Sequence, residues 1–375
     1  MISESRPSLL LERLTKRFPG GGGFGPIDLL LKAGESVVLL GPSGSGKSTL
    51  LRTIAGLETA ERGTIRLGEI SLDRLAPDRR GIGLLSQRPV LYPELTVAEH
   101  LAVAVPHAGP TAVSLGDTVR LLRLEALTNR KPHELSGGEK QRVALAKLLV
   151  RNAPVWLLDE PFASLDPIFR GEFRADLHLL REVSKATMLL VTHDPTDAYA
   201  FGHRVGVLEN GLLQSLGSPE ELRAEPRHPF TAFCFGWNLI PGRVRGGERS
   251  DSNQDFVSDC GSVLVALPEP VSAEATRRGV YSLTLGIRPE DIRAVPPESA
   301  SPPPRGGRLS GWSALFSEPV GSGWFLTVAR GQTRLRVEVR SESPPPVSEP
   351  TDWYIPTDAC RWFFAPASNR VSAVA

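Results

Sequence analysis

Nine residues, GPSGSGKST at positions 41–49, constrain this chain more than any other stretch. They follow the apolar run SVVLL (36–40) and precede LLRTIAGL, so a buried strand, a glycine-rich turn and a helix succeed one another without a spacer. The turn fits G-x-x-x-x-G-K-[ST], whose glycines let backbone amides curl around an anion. A flexible Gly-Ser linker would not sit between a buried strand and an apolar-periodic helix. In this pattern Gly41, Pro42, Ser43, Gly44, Ser45 and Gly46 form the wall of a phosphate site. Lys47 neutralises the β- and γ-phosphates, Ser48 offers a hydroxyl to Mg²⁺, and Thr49 supplies a second hydroxyl.

Two later stretches narrow the chemistry. LSGGEKQRVALA (135–146) opens like a helix: Ser136 is a good N-cap, and Glu139 three residues on completes an S-x-x-E capping box. Gly137 and Gly138 leave the first amides bare, so an anion can approach the positive end of the helix. VWLLDEP (155–161) is an apolar run ending in two acids. Asp159 therefore emerges at the C-terminal edge of a sheet, where ligands of open α/β sheets bind, and is expected to hold Mg²⁺. Glu160 points elsewhere and is the expected general base for a water attacking the γ-phosphate.

Alternating apolar runs and helical patterns fill residues 1 to about 235, which predicts a parallel-sheet α/β domain with further buried strands at VWLLD and TMLLVT (187–192). Residues 93–150 are mostly helical in period and end in the LSGGE helix. After NLIPG (238–242) short alternating segments separated by Gly, Pro and Ser take over: SVLVALPEP, VYSLTLGIRPEDI, WFLTVA, TRLRVEVR and WFFAPASNRV. They predict a small all-β barrel, with PPESASPPP (296–304) and SPPPVSEP (343–350) as proline-extended loops.

Taken together, GPSGSGKST, the glutamine of LLSQRP, LSGGEKQRV, VWLLDEP, SLD and VTHD stand in the order and spacing of an ABC transporter ATPase subunit, and the resemblance covers nearly the whole chain. LGIRPEDI (285–292) and AFCFGWNLIPG (232–242) resemble the C-terminal TOBE or OB-like barrel on importer ATPases of the maltose and glycerol-3-phosphate type. The resemblance implies a P-loop NTPase fold with a RecA-like core and helical subdomain over 1–236, then an OB-like β-barrel over 237–375 that is regulatory and dimer-stabilising. It implies that Gln87 reaches Mg²⁺ and the attacking water, that His193 touches the γ-phosphate, and that Phe18 stacks on adenine. It implies that Asp166 belongs to a loop crossing between subunits, and that Ser136, Gly137 and Gly138 of one copy face the phosphate loop of another. Two departures stand out: Gly20, Gly21, Gly22 and Gly23 replace a short turn after Phe18, and Glu139 replaces the common Gln after LSGG. Glu139 is expected to fold back onto its own cap rather than meet a phosphate.

The implied function is hydrolysis of ATP, with Mg²⁺, energising import of a carbohydrate or glycerol-3-phosphate. Polyamine, sulfate, iron and molybdate importers, whose ATPases share this layout, remain alternatives. So does a soluble ABC ATPase of DNA repair or translation, although one motif set with fewer than a hundred residues between the phosphate loop and LSGG disfavours it. A third reading, compatible with the first, makes the barrel a sensor of a metabolite or phosphocarrier. The implied partners are a second copy of the chain, two transmembrane permease subunits and, indirectly, an extracytoplasmic solute-binding protein. No nucleic acid is expected.

Composition agrees with this reading. The chain has 375 residues, enough for two or three domains. The 43 basic and 42 acidic residues leave a net charge of +1, too balanced to favour nucleic acid or anionic lipid. Cys234, Cys260 and Cys360 are odd in number and far apart, which suits a reducing compartment and predicts packing roles. The N-terminus lacks the core of a signal peptide, and no window holds the ~18 apolar residues needed to span a bilayer. The expectation is a protein soluble by itself, peripheral on the cytoplasmic face of the inner membrane, with the pore on other chains.

Overall fold

The structure, a computed structural model, describes residues 6–105, 113–163, 165–246, 254–294, 306–345, 347 and 350–364. The chain forms two compact units, Met1–Ala224 and Glu225–Ala375. The first contains a six-stranded sheet in the order Leu212–Gly217, Arg204–Glu209, Ser36–Leu40, Thr187–Thr192, Val155–Asp159, Ile82–Leu85. All neighbours are parallel except the first pair. SVVLL, VWLLD and TMLLVT are buried at every position, as strands covered on both faces must be.

A second, antiparallel sheet runs in the order Gly23–Leu31, Leu9–Arg17, Arg62–Leu67, Ile70–Ser71. Helix Lys47–Ala55 ties the two sheets into one core: its Leu50, Leu51 and Ile54 are fully buried with Leu9, Leu11 and Phe24 of one sheet and Val37, Leu157 and Leu189 of the other. Each such side chain contributes roughly 1.5–3 kcal/mol. The helix stops at Gly56, held at φ 85°, and its last carbonyls receive a buried guanidinium. Arg80 Nη1 donates to the Thr53 and Ile54 oxygens at 3.1 and 2.8 Å, and Nε donates to Leu75 O at 3.0 Å. A Cβ at position 56 would lie 2.5 Å from Arg80 Nε, so glycine is required there. The segment 93–150 carries helices Val97–Ala104, Leu115–Leu121 and Gly137–Arg151, the last packing on the first two.

Among its described residues, the second unit is an antiparallel assembly of ten strands. It begins at Glu225 rather than at 237, because the short helix Pro229–Cys234 packs on strands Asn238–Gly246 and Ser282–Ile287. The alternating segments expected as strands form them at Leu264–Ala266, Ser282–Ile287, Gly323–Arg330, Thr333–Val339 and Arg361–Phe364. Among the described residues, strand Thr333–Val339 pairs in the ladder only with Gly323–Arg330. Asn238 supplies what the other side lacks: its side-chain amide donates to Arg336 O at 2.8 Å and accepts from Arg336 N at 2.7 Å. The asparagine of NLIPG thus acts as a one-residue strand partner along that edge.

Two features differ from the sequence reading. EPVSAEATRR forms helix Glu269–Arg278, with Pro268 and Pro270 at its start and Gly279 in the left-handed conformation at its end. Cys260 is exposed rather than packed, and its Sγ meets the hydroxyls of Ser258, Ser262 and Thr333 at 3.3, 2.8 and 2.9 Å. Partial burial pushes this thiol up, and those hydrogen bonds outweigh it, bringing it down to about 6. PPESASPPP and the end of WFFAPASNRV lie outside the described residues, as does part of SPPPVSEP.

Candidate functional site

Strand register builds the site. Leu40 pairs with Thr192 and Asp159 with Val191, while Leu85 pairs with Leu158. The residues that follow these strands therefore leave the sheet at one edge and one level: the loop from Gly41, His193, Glu160, and Gln87 two residues further on. This is the carboxyl edge at which open parallel sheets take ligands. Phe18, Ser43, Gly44, Gly46, Lys47, Ser48, Thr49, Gln87, Glu160 and His193 line one cavity of about 450 Å³ there, together with Gly23.

The loop is shaped by its glycines. Gly46 sits at φ 98°, and a Cβ on it would lie 2.5 Å from the carbonyl oxygen of Gly23. Helix Lys47–Ala55 consequently begins with no side-chain cap and no acid in its first turn. Its first-turn amides and dipole offer a site for an anion. The Lys47 ammonium is buried at the centre of the loop, donating to Gly41 O at 2.7 Å and Pro42 O at 2.9 Å. Ser48 Oγ donates to Asp159 Oδ1 at 2.8 Å, which joins the loop to the acid at the end of the neighbouring strand.

Glu160 leaves that strand at φ 48°, a left-handed conformation that costs a non-glycine residue about 1 kcal/mol or more. The reversal separates the two acids: Asp159 faces Ser48, and Glu160 faces the cavity. Glu160 Oε2 lies 2.8 Å from His193 Nδ1, with the glutamate side chain 14 % and the histidine 61 % exposed. Phe18 is 38 % exposed at the rim, and the Lys16 ammonium lies 5.2 Å from its ring centroid. The glycines after it close a tight turn, with Gly21 N donating to Phe18 O at 2.9 Å.

Eight expected residues are outside this lining: Gly41, Pro42, Ser45 and Asp159 belong to the loop and strand end beside it, and four others stand apart. Ser136, Gly137 and Gly138 start helix Gly137–Arg151 elsewhere on the unit, and Asp166 caps helix Pro167–Ser184 by accepting from Phe169 N at 3.1 Å. The capping box at Ser136 is complete: Ser136 Oγ accepts from Glu139 N at 3.3 Å, and Glu139 Oε2 accepts from Ser136 N at 2.7 Å. Glu139 is folded onto its own helix start. Partial burial pushes its carboxyl up, but the Ser136 hydrogen bonds, with Arg130 and Arg142 nearby, leave it below the ordinary range.

One contact was not legible beforehand. Gln141, fully buried on the LSGGE helix, donates from Nε2 to Gln87 O at 3.1 Å and so fixes the loop of the candidate glutamine. Its sequence signal, an amide within an otherwise apolar-periodic turn, identifies no partner.

The profile of the ABC transporter family matches residues 24–163. The chain is 39 % identical over 293 residues to the sn-glycerol-3-phosphate import ATP-binding protein UgpC of Chromobacterium violaceum, covering 76 % of this chain and 77 % of the relative. It is 33 % identical to UgpC of Yersinia pestis over 97 % of this chain and 99 % of the relative, a match that includes the second unit. Among solved structures it is similar to a dimeric, post-hydrolysis ATP-binding cassette bound to ADP and Pi. The TM-score is 0.50 at 31 % identity, over 56 % of this chain and 98 % of that one.

Proposed function

The chain belongs to the ABC transporter ATP-binding proteins, and from that membership we propose that it energises import of sn-glycerol-3-phosphate or a related carbohydrate by closing ATP between two copies of itself. The observation that carries the reading is the convergence of four strand ends on one cavity holding an uncapped helix start, a buried lysine and a glutamate. The amides of the 41–49 loop and Lys47 bind the triphosphate, and Phe18 stacks on the base. Ser48, Asp159 and Gln87 offer a set of hard oxygen donors, and bound there Mg²⁺ would offset phosphate charge.

Glu160 takes the proton of a water attacking the γ-phosphate, yielding ADP and phosphate, and His193 holds the γ-phosphate end in register with Glu160. Ser136, Gly137 and Gly138 stand away from this cavity, which supports a site completed by the same residues of a second copy; the solved dimeric cassette gives the precedent. Among the described residues no helix is long and apolar enough to cross a membrane, so the proposal assigns the pore to two permease subunits and solute delivery to a binding protein. The second unit, on this reading, is a regulatory, dimer-stabilising barrel.

The test is uptake of radiolabelled sn-glycerol-3-phosphate and maltose by cells lacking this chain, complemented with wild-type protein or Glu160→Gln. Wild type restores uptake of one of them; Glu160→Gln does not, although it binds ATP and sediments as a dimer with it. Full uptake through Glu160→Gln would remove the glutamate from the mechanism, and no uptake of either solute with wild type would overturn the substrate class.

A further inference from the structure

We propose that Arg174 is a positioning residue for hydrolysis, locking the turn that carries His193 to the loop that carries Glu160 and to the helix that Asp166 caps. The inference rests on the reading of Glu160 and His193 given above. Arg174 lies on helix Pro167–Ser184 and is not among the residues that line the cavity. Its Nη2 donates to Asp194 Oδ2 at 3.0 Å and to Asp197 Oδ1 at 2.5 Å, and its Nε donates to Asp197 Oδ1 at 2.9 Å.

Both carboxylates hold the histidine turn. Asp194 follows His193 directly and caps helix Pro195–Phe201 by accepting from Thr196 N at 2.9 Å. Asp197, 1 % exposed, accepts from the hydroxyl of Thr192 at 2.7 Å, and Thr192 Oγ1 in turn accepts from Asp194 N at 3.0 Å. His193 is thus flanked on each side by a residue tied to this network. Burial pushes the Asp197 carboxyl up, and the hydrogen bonds from Thr192 and Arg174 oppose this only in part. A buried carboxylate of this kind loses its function as a strut once its cation is gone.

The guanidinium also meets the segment that follows the acid. It lies 5.3 Å from the ring centroid of Phe162, two residues after Glu160, and Phe162 is itself packed edge-on to Phe173 and stacked on Phe201. One side chain therefore braces the turn behind each partner of the 2.8 Å Glu160–His193 contact. Because the planar fork both chelates carboxylates and lies on a ring, lysine cannot replace it.

The experiment measures ATP turnover, affinity for a fluorescent ATP analogue and melting temperature in the full chain. The variants are Arg174→Lys, Asp194→Asn, His193→Ala and the Arg174→Lys/His193→Ala double. Arg174→Lys should lower kcat by about ten- to a hundredfold, the scale of a small misplacement at a reacting centre, with affinity within about twofold of wild type. Asp194→Asn keeps the cap and should move kcat in the same direction by less. In the His193→Ala background, Arg174→Lys should lower kcat by under about twofold, because the two act through one geometry.

Wild-type kcat in Arg174→Lys, parallel loss of affinity and turnover, or full additivity in the double variant overturns the proposal. If Arg174→Lys does not fold, wild-type turnover in Asp194→Asn overturns it instead. A His193→Ala protein with wild-type turnover overturns the histidine reading and this proposal with it. A crippled His193→Ala beside an unaffected Arg174→Lys overturns this proposal alone.

Discussion

Helix Lys47–Ala55 and helix Gly137–Arg151 are the two helix starts that a triphosphate is proposed to meet, and they are built in opposite ways. The first has Gly46 at its cap, no side-chain hydrogen bond there, and a buried guanidinium at its far end. The second has Ser136 and Glu139 reciprocally bonded at its start and Asn152 in the left-handed conformation closing its end. One helix end is left open to a ligand, and its stability comes from the core and from Arg80. The other carries a capping box from its own chain, which can hold it in water until a second copy arrives. On the proposed function, this difference would let one face of a protomer bind nucleotide unaided while the other acts only on a nucleotide already held.

Lys47→Ala should give the largest effect, since it removes the buried cation from the open end. The two carbonyls that now receive its ammonium lose their donor, and phosphates lose charge-assisted hydrogen bonds of ~1.5–3 kcal/mol each. ATP affinity, followed by calorimetric titration, is expected to fall at least about a hundredfold. Retained affinity would mean that the bare amides alone hold the anion and that the lysine serves catalysis.

Arg80→Met probes the other end of the same helix. Burial holds the Arg80 guanidinium below its ordinary value, yet it serves three backbone carbonyls. Removing it takes the donor from the Ile54 and Leu75 oxygens, while Thr53 O keeps the Gly56 amide, and the urea midpoint should fall by the equivalent of about 2–4 kcal/mol. ATP affinity should change far less than in Lys47→Ala. A stable Arg80→Met protein would show that water satisfies those carbonyls and that the open helix start needs no such anchor.

What separates these residues is also what made some of them legible and others not. SVVLL, VWLLD and TMLLVT announce themselves because a strand buried on both faces must be continuously apolar, and the residues just past such a strand must lie at the sheet edge. Gly46, Lys47, Asp159, Glu160 and His193 are legible by that rule, as is the Ser136–Glu139 box, which is local. Arg80, Gln141 and Arg174 are not: apart from Leu75 for Arg80 and Phe162 for Arg174, the partners named for them lie 26 or 27, 54 and 20 or 23 residues away, and only the folded register brings them near. Helix Glu269–Arg278 had local signals in its prolines and Gly279, hidden beside an alternating apolar run. Strand Gly306–Val320 was obscured by its own glycines and serines and by pairing irregularities at 309/312 and 314/316.

Glu139→Gln gives the smallest effect and the sharpest one, because two predictions of opposite sign come from one substitution. In the isolated protein the Glu139 carboxylate interacts favourably with its own helix start and accepts from Ser136 N. Glutamine keeps the acceptor and loses the charge, so thermal stability should drop slightly, by up to about 1 kcal/mol. In the closed pair the same carboxylate would share its helix start with a γ-phosphate, and two anions there oppose each other. Measured in a Glu160→Gln background to suppress turnover, ATP-driven dimerisation should therefore tighten by about two- to fivefold, the equivalent of about 0.4–1 kcal/mol. A dimer weakened by Glu139→Gln would mean that the self-capped start is a preorganised part of the closed site, to which its negative charge contributes, rather than a resting state that ATP must displace.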